Sequence, residues 1–190
     1  AVLFPKISQQ QDDLTKVKQA TRNSIRYSSY VLSPLMLGLA AVSEPFIRLL
    51  LTEKWLPCVP LLQVFCITYL FMPIHTANMQ AIKAIGKSGI ILKLEIIKKC
   101  IELITLIMVM RLGIMAIAIN MAALNFMFIF VNAYPNVKYL SYSFKEQISD
   151  VFPNFFMASL MAIIVYFVTK LPFEDIVVLI MGIIVGGMVY

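Results

Sequence analysis

Charged and reactive side chains are scarce in this chain of 190 residues. Only 14% of the residues are charged and one residue is a histidine, whereas 61% are hydrophobic. A soluble domain averages about 25% charged and roughly 45–50% apolar residues. The shortage of charge, together with a mean hydropathy of +0.87, excludes an ordinary water-soluble domain and favours an integral membrane protein.

Cysteine is also rare, and the three cysteines do not form a recognisable site. Cys58, Cys66 and Cys100 lack the CxxC spacing, and His75 is the only available imidazole ligand. This pattern predicts neither a metal site nor a disulfide framework, and we expect no cofactor. The sequence also lacks a phosphate-binding loop, a nucleophile elbow, an HExxH pair and a nucleotide fingerprint. We therefore expect the chain not to be an enzyme.

The net charge of +6 raises the question of nucleic-acid binding. The basic residues occupy short loops between apolar runs, which is the topology signal of membrane proteins. We therefore expect membrane lipids, and no nucleic acid, as partners.

Six apolar runs, each near the roughly 20 residues that a bilayer requires, predict an all-α membrane protein. The fold class is a polytopic helical bundle of about six transmembrane helices, plus the tail of a preceding one. Residues 1–8 are too short to span, and we expect them to end an earlier helix of a longer protein. Residues 9–29 and 135–151 are predicted cytoplasmic linkers, the first amphipathic. The predicted spans are residues 30–51, 59–82, 90–110, 114–134, 152–168 and 173–190.

The distribution of lysine and arginine in the predicted loops indicates the orientation. Ten lie on one side: Lys6, Lys16, Lys18, Arg22, Arg26, Lys83, Lys87, Lys93, Lys138 and Lys145. Four lie on the other side: Arg48, Lys54, Arg111 and Lys170. The richer side is expected to be cytoplasmic. This places the C-terminus of the chain in the cytoplasm.

The third run contains the clearest group of ionisable side chains. Glu95 precedes Lys98 and Lys99 by three and four residues, and Glu102 follows them by four and three, so these groups meet on a helix. One interpretation is an interfacial helix end whose lysines reach the headgroups. The other is a polar stripe facing a cavity between helices, where the lysines meet an anionic substrate and the glutamates hold them.

Two further spans carry ionisable groups. Glu44 and Arg48 are four residues apart near the outer side, either as a self-neutralised pair at a kinked helix end or as a coupling-ion or substrate group. His75 is either a proton relay or a hydrogen-bonded packing residue. The fourth run carries asparagines for which we prefer interhelical hydrogen bonding to substrate contact; they are Asn120, Asn125 and Asn132.

The order of segments resembles a known family. The opening AVLFPKIS, the polar linker and the stretch PLMLGLAAVSEPFIRLLLTEKW resemble the second half of bacterial polysaccharide flippases. These belong to the multidrug/oligosaccharidyl-lipid/polysaccharide exporter superfamily. Residues 49–99 and the linker NAYPNVKYLSYSFKEQISD are similar to the O-antigen and lipopolysaccharide branch.

The resemblance implies a fold of about fourteen helices in two pseudo-symmetric bundles around a central cavity. This chain would supply the end of the eighth helix and the ninth to fourteenth. The implied function is to move an undecaprenyl-diphosphate-linked oligosaccharide across the bacterial inner membrane, by ion-coupled alternating access. Lys98 and Lys99, and more weakly Arg48, would pair with the diphosphate or with acidic sugars. A polysaccharide polymerase and the chain-length machinery would be further partners.

Two alternatives remain open at this stage. A multidrug or cation antiporter of the same superfamily would favour acidic cavity residues without nearby lysines. A membrane-bound enzyme of glycan assembly would need a large outside loop, and the outside loops here are a few residues long.

Overall fold

The computed structural model describes residues 13–171 and 174–190, and their regular structure is entirely helical. The predicted tail of a preceding helix, residues 1–8, lies outside the described residues, as does the start of the first linker. The helices are α1 (Leu14–Ala41), α2 (Ser43–Leu51), α3 (Val59–Tyr69), α4 (Met72–Ala84), α5 (Ser88–Val109), α6 (Ile114–Leu140), α7 (Phe144–Val168) and α8 (Asp175–Val189). Short 3-10 turns, Glu53–Cys58 and Met110–Leu112, precede α3 and follow α5.

The first helix crosses the predicted boundary between linker and span without a break. The Asp13 carboxylate caps α1 by accepting from the backbone N–H groups of Thr15 and Lys16, at 3.1 and 3.2 Å. The chain then bends by 72° between α1 and α2. Pro45 lies in the first turn of α2, where its missing N–H has no intrahelical acceptor to lose. The linker and the first predicted span therefore share one long helix that is broken near its outer end.

Among residues 13–171 and 174–190, three helical segments are long and apolar enough to cross a membrane: Glu53–Ala84, Ile114–Leu140 and Phe144–Val168. The bent pair α1 and α2 makes a fourth if it is taken as one span. Helix α5 is long enough but carries five ionisable residues between Lys93 and Glu102. Helix α8 is apolar but has only 15 residues. The chain is thus an all-α membrane bundle, and the predicted spans 90–110 and 173–190 stay predictions.

Helix α6 continues past Pro135, where the sequence predicted its end at residue 134. It ends at Leu140, and Ser141 then adopts a left-handed conformation with φ of 49°. Pro135 removes one backbone hydrogen bond, and neighbouring helices keep such a position tolerable in a membrane bundle. The next helix starts immediately, because Ser143 and Glu146 form a reciprocal capping box at the beginning of α7.

The core lies where α1, α4, α6 and α7 meet. It contains Val17, Ile25, Ile74, Ala77, Ala81, Ala84, Ile129, Leu140, Tyr142 and Val151. The small side chains of Ala77, Ala81 and Ala84 let α4 approach its neighbours closely. At the other end, Gly182 brings α8 so near that an added Cβ would lie 3.2 Å from Val42. Small residues therefore set the spacing of helices on both sides of the bundle.

Candidate functional site

Helix α5 divides the charged ladder into two pairs that point in different directions. Lys98 is packed between helices and is 6% exposed, whereas the side chain of Lys99 is 70% exposed. Lys98 contacts Glu95, and Lys99 contacts Glu102 at 2.6 Å. Successive residues on a helix point about 100° apart. One turn of α5 therefore presents the Lys98–Glu95 pair toward the bundle and leaves Lys99 on its outer surface.

The inward lysine starts a hydrogen-bonded chain that crosses three helices. Lys98 Nζ on α5 donates to Asn132 Oδ1 on α6 at 3.0 Å. Asn132 Nδ2 lies 2.8 Å from His75 Nδ1 on α4. The ammonium also lies 5.7 Å from the ring centroid of Phe128, close enough for a cation–π interaction. We call Lys98, Asn132 and His75 the Lys98 chain.

The hydrogen bonds within the Lys98 chain fix the orientation of its amide and the tautomer of its imidazole. Lys98 has no lone pair when charged, so it must donate to the amide oxygen of Asn132. The amide nitrogen then faces His75 and donates to Nδ1, which leaves the proton of a neutral imidazole on Nε2. Charged Lys98 therefore specifies a neutral His75 protonated on Nε2.

Further polar side chains continue next to the Lys98 chain toward α7. Asn136 Nδ2 donates to the backbone carbonyl of Asn78 at 3.0 Å, and Asn78 Nδ2 donates to Gln147 Oε1 at 2.7 Å. Gln147 in turn donates to the carbonyl of Tyr142 at 3.3 Å. Buried amides thus connect α4, α6 and α7 beside the Lys98 chain.

Several buried atoms of this region have no hydrogen-bond partner among the described residues. They include His75 Nε2, Asn78 Oδ1 and Asn136 Oδ1. An unpaired buried donor or acceptor costs about 1–3 kcal/mol. Unpaired buried polar atoms are few in native proteins, so those of this region distinguish it from the apolar core.

The second predicted ion pair lies elsewhere in the molecule. Arg48 on α2 donates to Glu44 at 3.0 Å and to Asp175 at the start of α8 at 3.4 Å. These bonds connect the outer ends of α2 and α8. The structure therefore brings Glu95, Lys98 and His75 together through Asn132, and it holds Glu44 and Arg48 in a separate group.

A second buried charge cluster was not predicted from the sequence. The Asp150 side chain on α7 is 1% exposed and accepts from both arginines of α1. Arg22 donates through Nε at 2.8 Å and Nη2 at 2.9 Å, and Arg26 donates through Nε at 2.9 Å and also through Nη2. Tyr142 OH donates to Asp150 Oδ2 at 2.8 Å, the oxygen that also accepts from Arg22 Nε. We call these four residues the Asp150 cluster.

Tyr142 lies in the turn between α6 and α7 and supports this cluster as a hydrogen-bond donor. Burial and the hydrogen bond to Asp150 raise the pKa of the Tyr142 phenol far above its usual value. The phenol therefore stays protonated and keeps donating. The sequence signal for the cluster was the spacing of Arg22 and Arg26, which are four residues apart on one helix face; their acidic partner lies more than a hundred residues away.

Segments of the chain are similar to known proteins. A family model described as "Polysaccharide biosynthesis protein" matches residues 1–60. No solved structure matches the chain.

Three curated proteins are similar to segments of this chain. A Klebsiella pneumoniae protein, "Uncharacterized membrane protein in cps region", is 39% identical over 66 residues. The teichuronic acid biosynthesis protein TuaB of Bacillus subtilis (strain 168) is 28% identical over 89 residues. The lipopolysaccharide biosynthesis protein WzxC of Escherichia coli (strain K12) is 29% identical over 97 residues.

The matched segments cover 35%, 47% and 51% of this chain, and 14%, 18% and 20% of these relatives. The chain thus corresponds to a minor part of each relative's length. Family model and relatives agree on polysaccharide biosynthesis at a membrane, and the helical bundle agrees with that setting. Over these segments the chain is similar to polysaccharide biosynthesis proteins, in agreement with the resemblance of its sequence to polysaccharide flippases.

Proposed function

We infer that this chain is part of a flippase that moves an undecaprenyl-diphosphate-linked oligosaccharide repeat from the inner to the outer leaflet of the bacterial inner membrane. Relatives named for lipopolysaccharide and teichuronic acid biosynthesis support the substrate class. The observation that carries the transport role is the Lys98 chain. Ionisable residues inside membrane helices are costly, and they mark substrate pathways or proton relays.

The roles within the Lys98 chain follow from its hydrogen bonds. Taking up a proton at Nδ1 would turn His75 into a donor on both nitrogens. The amide nitrogen of Asn132 could then no longer donate to it, so Asn132 would have to turn its oxygen toward the imidazole. That rotation would remove the acceptor of Lys98. Protonation of His75 would therefore release Lys98 from Asn132 and make its charge available to the anionic diphosphate.

Two charged groups face His75 in this scheme, and both lie on α5. Lys98 donates to Glu95 and to Asn132, the partner of His75. Glu95 also retains Lys98 near the interior while Asn132 turns. This arrangement couples proton uptake to the exposure of a cation, which is the element that ion-coupled alternating access requires. Lys99 and Glu102 neutralise each other on the outer surface and have no role in it.

Depletion of the full-length protein in its own host tests the proposed function. Undecaprenyl-linked oligosaccharide in the membrane and surface polysaccharide would be measured together. We expect repeat units to accumulate on the inner leaflet while surface glycan is lost. Normal glycan without accumulation would contradict the flippase assignment, and efflux of dyes or organic cations would then test the antiporter alternative.

The proposed orientation has its own test. Ten of fourteen loop lysines and arginines lie on the side assigned to the cytoplasm, so Ser141 in the turn before α7 should face inward. A cysteine replacing Ser141, in a background lacking the native cysteines, should react only with thiol reagents that enter the cell. Reaction with an impermeant reagent outside intact cells would reverse the proposed topology.

A further inference from the structure

A cleft lies between α1 and α4, outside the Lys98 chain. Its volume is about 560 Å³, within the range of pockets that bind small organic groups. Side chains of Ser24, Tyr27, Ser28, Thr76 and Gln80 line it, together with apolar residues.

The polar side chains of the cleft are not used to hold the bundle together. None of the five makes a hydrogen bond to another described residue. Elsewhere in the helices, hydroxyl groups commonly bond back to the carbonyl one turn earlier: Thr21 to Val17, Thr68 to Val64 and Ser159 to Phe155, all within 2.7–2.8 Å. The donors and acceptors of the cleft are therefore available to a ligand.

No charged residue lines the cleft. Arg22 and Arg26 on the same helix are directed to Asp150 instead. A lining of hydroxyls, one amide and an exposed tyrosine ring fits a ligand that presents many hydroxyl groups and apolar C–H faces, because an aromatic ring offers an apolar face and a polar edge. Neutral sugars have this chemistry.

A second cavity provides the contrast. It has a volume of about 230 Å³ and is lined by six phenylalanines, among them Phe71 and Phe126. Its amide, Gln147, is already bonded to Asn78 and Tyr142. A sugar in that cavity would find almost no free hydrogen-bonding partner, whereas the cleft between α1 and α4 offers such partners.

We propose that the cleft between α1 and α4 binds uncharged sugar residues of the transported repeat unit, at the end of the bundle assigned to the cytoplasm. This inference rests on the proposed function, since it names where the carried oligosaccharide is held. Membrane lipid and another part of the same protein are the competing occupants. Both would exclude water from the cleft, whereas a sugar site must be open to water before loading.

Near-isosteric substitutions in the full-length protein test the contacts. The double variant Thr76→Val, Gln80→Met removes two hydrogen-bonding groups while keeping side-chain size. Because each lost hydrogen bond weakens the binding of the sugar, we expect roughly tenfold slower delivery of surface glycan at unchanged protein abundance. The matched control is Thr68→Val, whose hydroxyl bonds within its own helix and which should leave glycan delivery unchanged. Normal delivery in the double variant would overturn the proposal.

Water access is tested in the same protein by a cysteine replacing Ser28, with Cys58, Cys66 and Cys100 replaced. A hydrophilic thiol reagent applied from the cytoplasmic side should label it, and labelling should slow when lipid-linked oligosaccharide accumulates after polymerisation is blocked. A cysteine replacing Ile104, on the outer surface of α5, is the unlabelled control. Absence of labelling at position 28, or labelling that the substrate does not slow, would reject the sugar site.

These outcomes are separate from those of the proposed function. Accumulation of lipid-linked oligosaccharide on depletion would support the flippase whether or not the cleft variants have an effect. If depletion has no effect on glycan but position 28 is labelled, the cleft is open to water and the flippase assignment fails.

Discussion

The Asp150 cluster and the Lys98 chain are both buried and both charged, but they differ in how completely their groups are paired. The Asp150 carboxylate accepts hydrogen bonds from Arg22, Arg26 and Tyr142 and is saturated. In the Lys98 chain, His75 Nε2 has no partner among the described residues. A saturated cluster has a single favourable arrangement, whereas an unsaturated one retains a second.

The positions of the Asp150 cluster and the Lys98 chain in the fold agree with this difference in pairing. The Asp150 cluster joins α1 to α7, which form the most extensive helix contact described. Asn154 adds a second connection there, donating to the Arg26 carbonyl at 2.9 Å and to Ser29 Oγ at 2.7 Å. The Lys98 chain joins α4, α5 and α6, and α5 has few buried residues. The Asp150 cluster therefore lies within an extensive helix interface, whereas the Lys98 chain lies at a helix with few buried residues.

The largest effect is expected from Asp150→Ala. It leaves the Tyr142 hydroxyl buried without an acceptor and two guanidinium groups without their carboxylate. Breaking a buried ion pair costs about 3–5 kcal/mol, and the lower end applies because Arg22 and Arg26 are partly exposed. We expect a marked fall in the thermal unfolding midpoint of the detergent-solubilised protein. Size-exclusion chromatography after heating would measure this midpoint.

Asp13→Ala is the matched control for this change. It removes an exposed carboxylate at the start of the same helix, and its effect on the midpoint should be clearly smaller. Equal midpoints for Asp150→Ala and the unmodified protein would contradict a structural role for the Asp150 cluster.

The next effect separates function from stability in the Lys98 chain. Lys98→Met keeps the length of the side chain and removes the charge, leaving Glu95, which is one third exposed, to reach water. Replacing a buried ion by an apolar residue of similar size is often neutral for stability. We expect normal protein abundance by immunoblot and about tenfold less surface glycan, on the order of 1.4 kcal/mol in transport.

Lys99→Met is the control on the adjacent position. Lys99 contacts Glu102 on the outer surface, so glycan delivery should remain within about twofold of normal. Equal losses for both lysines would show that the inward and outward positions do not differ in function.

A smaller and more specific effect is expected from His75→Gln. Glutamine can still accept from Asn132 Nδ2, but it cannot take up a proton. Transport measured in membrane vesicles between about pH 5 and pH 8, where histidines titrate, should lose its pH dependence while keeping a measurable rate. A pH profile that matches the unmodified protein would reject the proton relay, and His75 would then be a packing residue.

The sequence was sufficient for the helical bundle because hydropathy and helical spacing are local properties. The apolar runs beginning near residues 59, 114 and 152 correspond to the three helical segments long and apolar enough to cross a membrane. Spacing also placed Glu95 within reach of Lys98. Local patterns could not decide which of two adjacent lysines points inward, because that depends on where α6 presents Asn132.

Contacts between segments far apart in the chain could not be predicted from the sequence, because they also depend on how the helices pack. Asp150 and its arginines are 124 and 128 residues apart, and Asp150 was assigned to the end of a cytoplasmic linker. The cleft between α1 and α4 was also missed, since serine and threonine in a helix are ordinary unless their hydroxyls are seen to lack partners. Polarity alone therefore identifies candidate residues, and pairing decides what each of them does.

The smallest effect is expected from Arg48→Ala. The ion pairs of Arg48 are partly exposed, so they differ from both the Asp150 cluster and the Lys98 chain. Arg48 is paired with Glu44 and Asp175, but all three side chains are partly exposed. Pairs of this kind contribute about 0–1 kcal/mol, and salt screens them. We expect a slightly lower unfolding midpoint, a difference that shrinks as the salt concentration rises, and glycan delivery within about twofold of normal. Loss of glycan delivery at an unchanged unfolding midpoint would instead assign Arg48 to substrate contact. Charged residues that act in transport would then include partly exposed, paired ones as well as buried, incompletely paired ones.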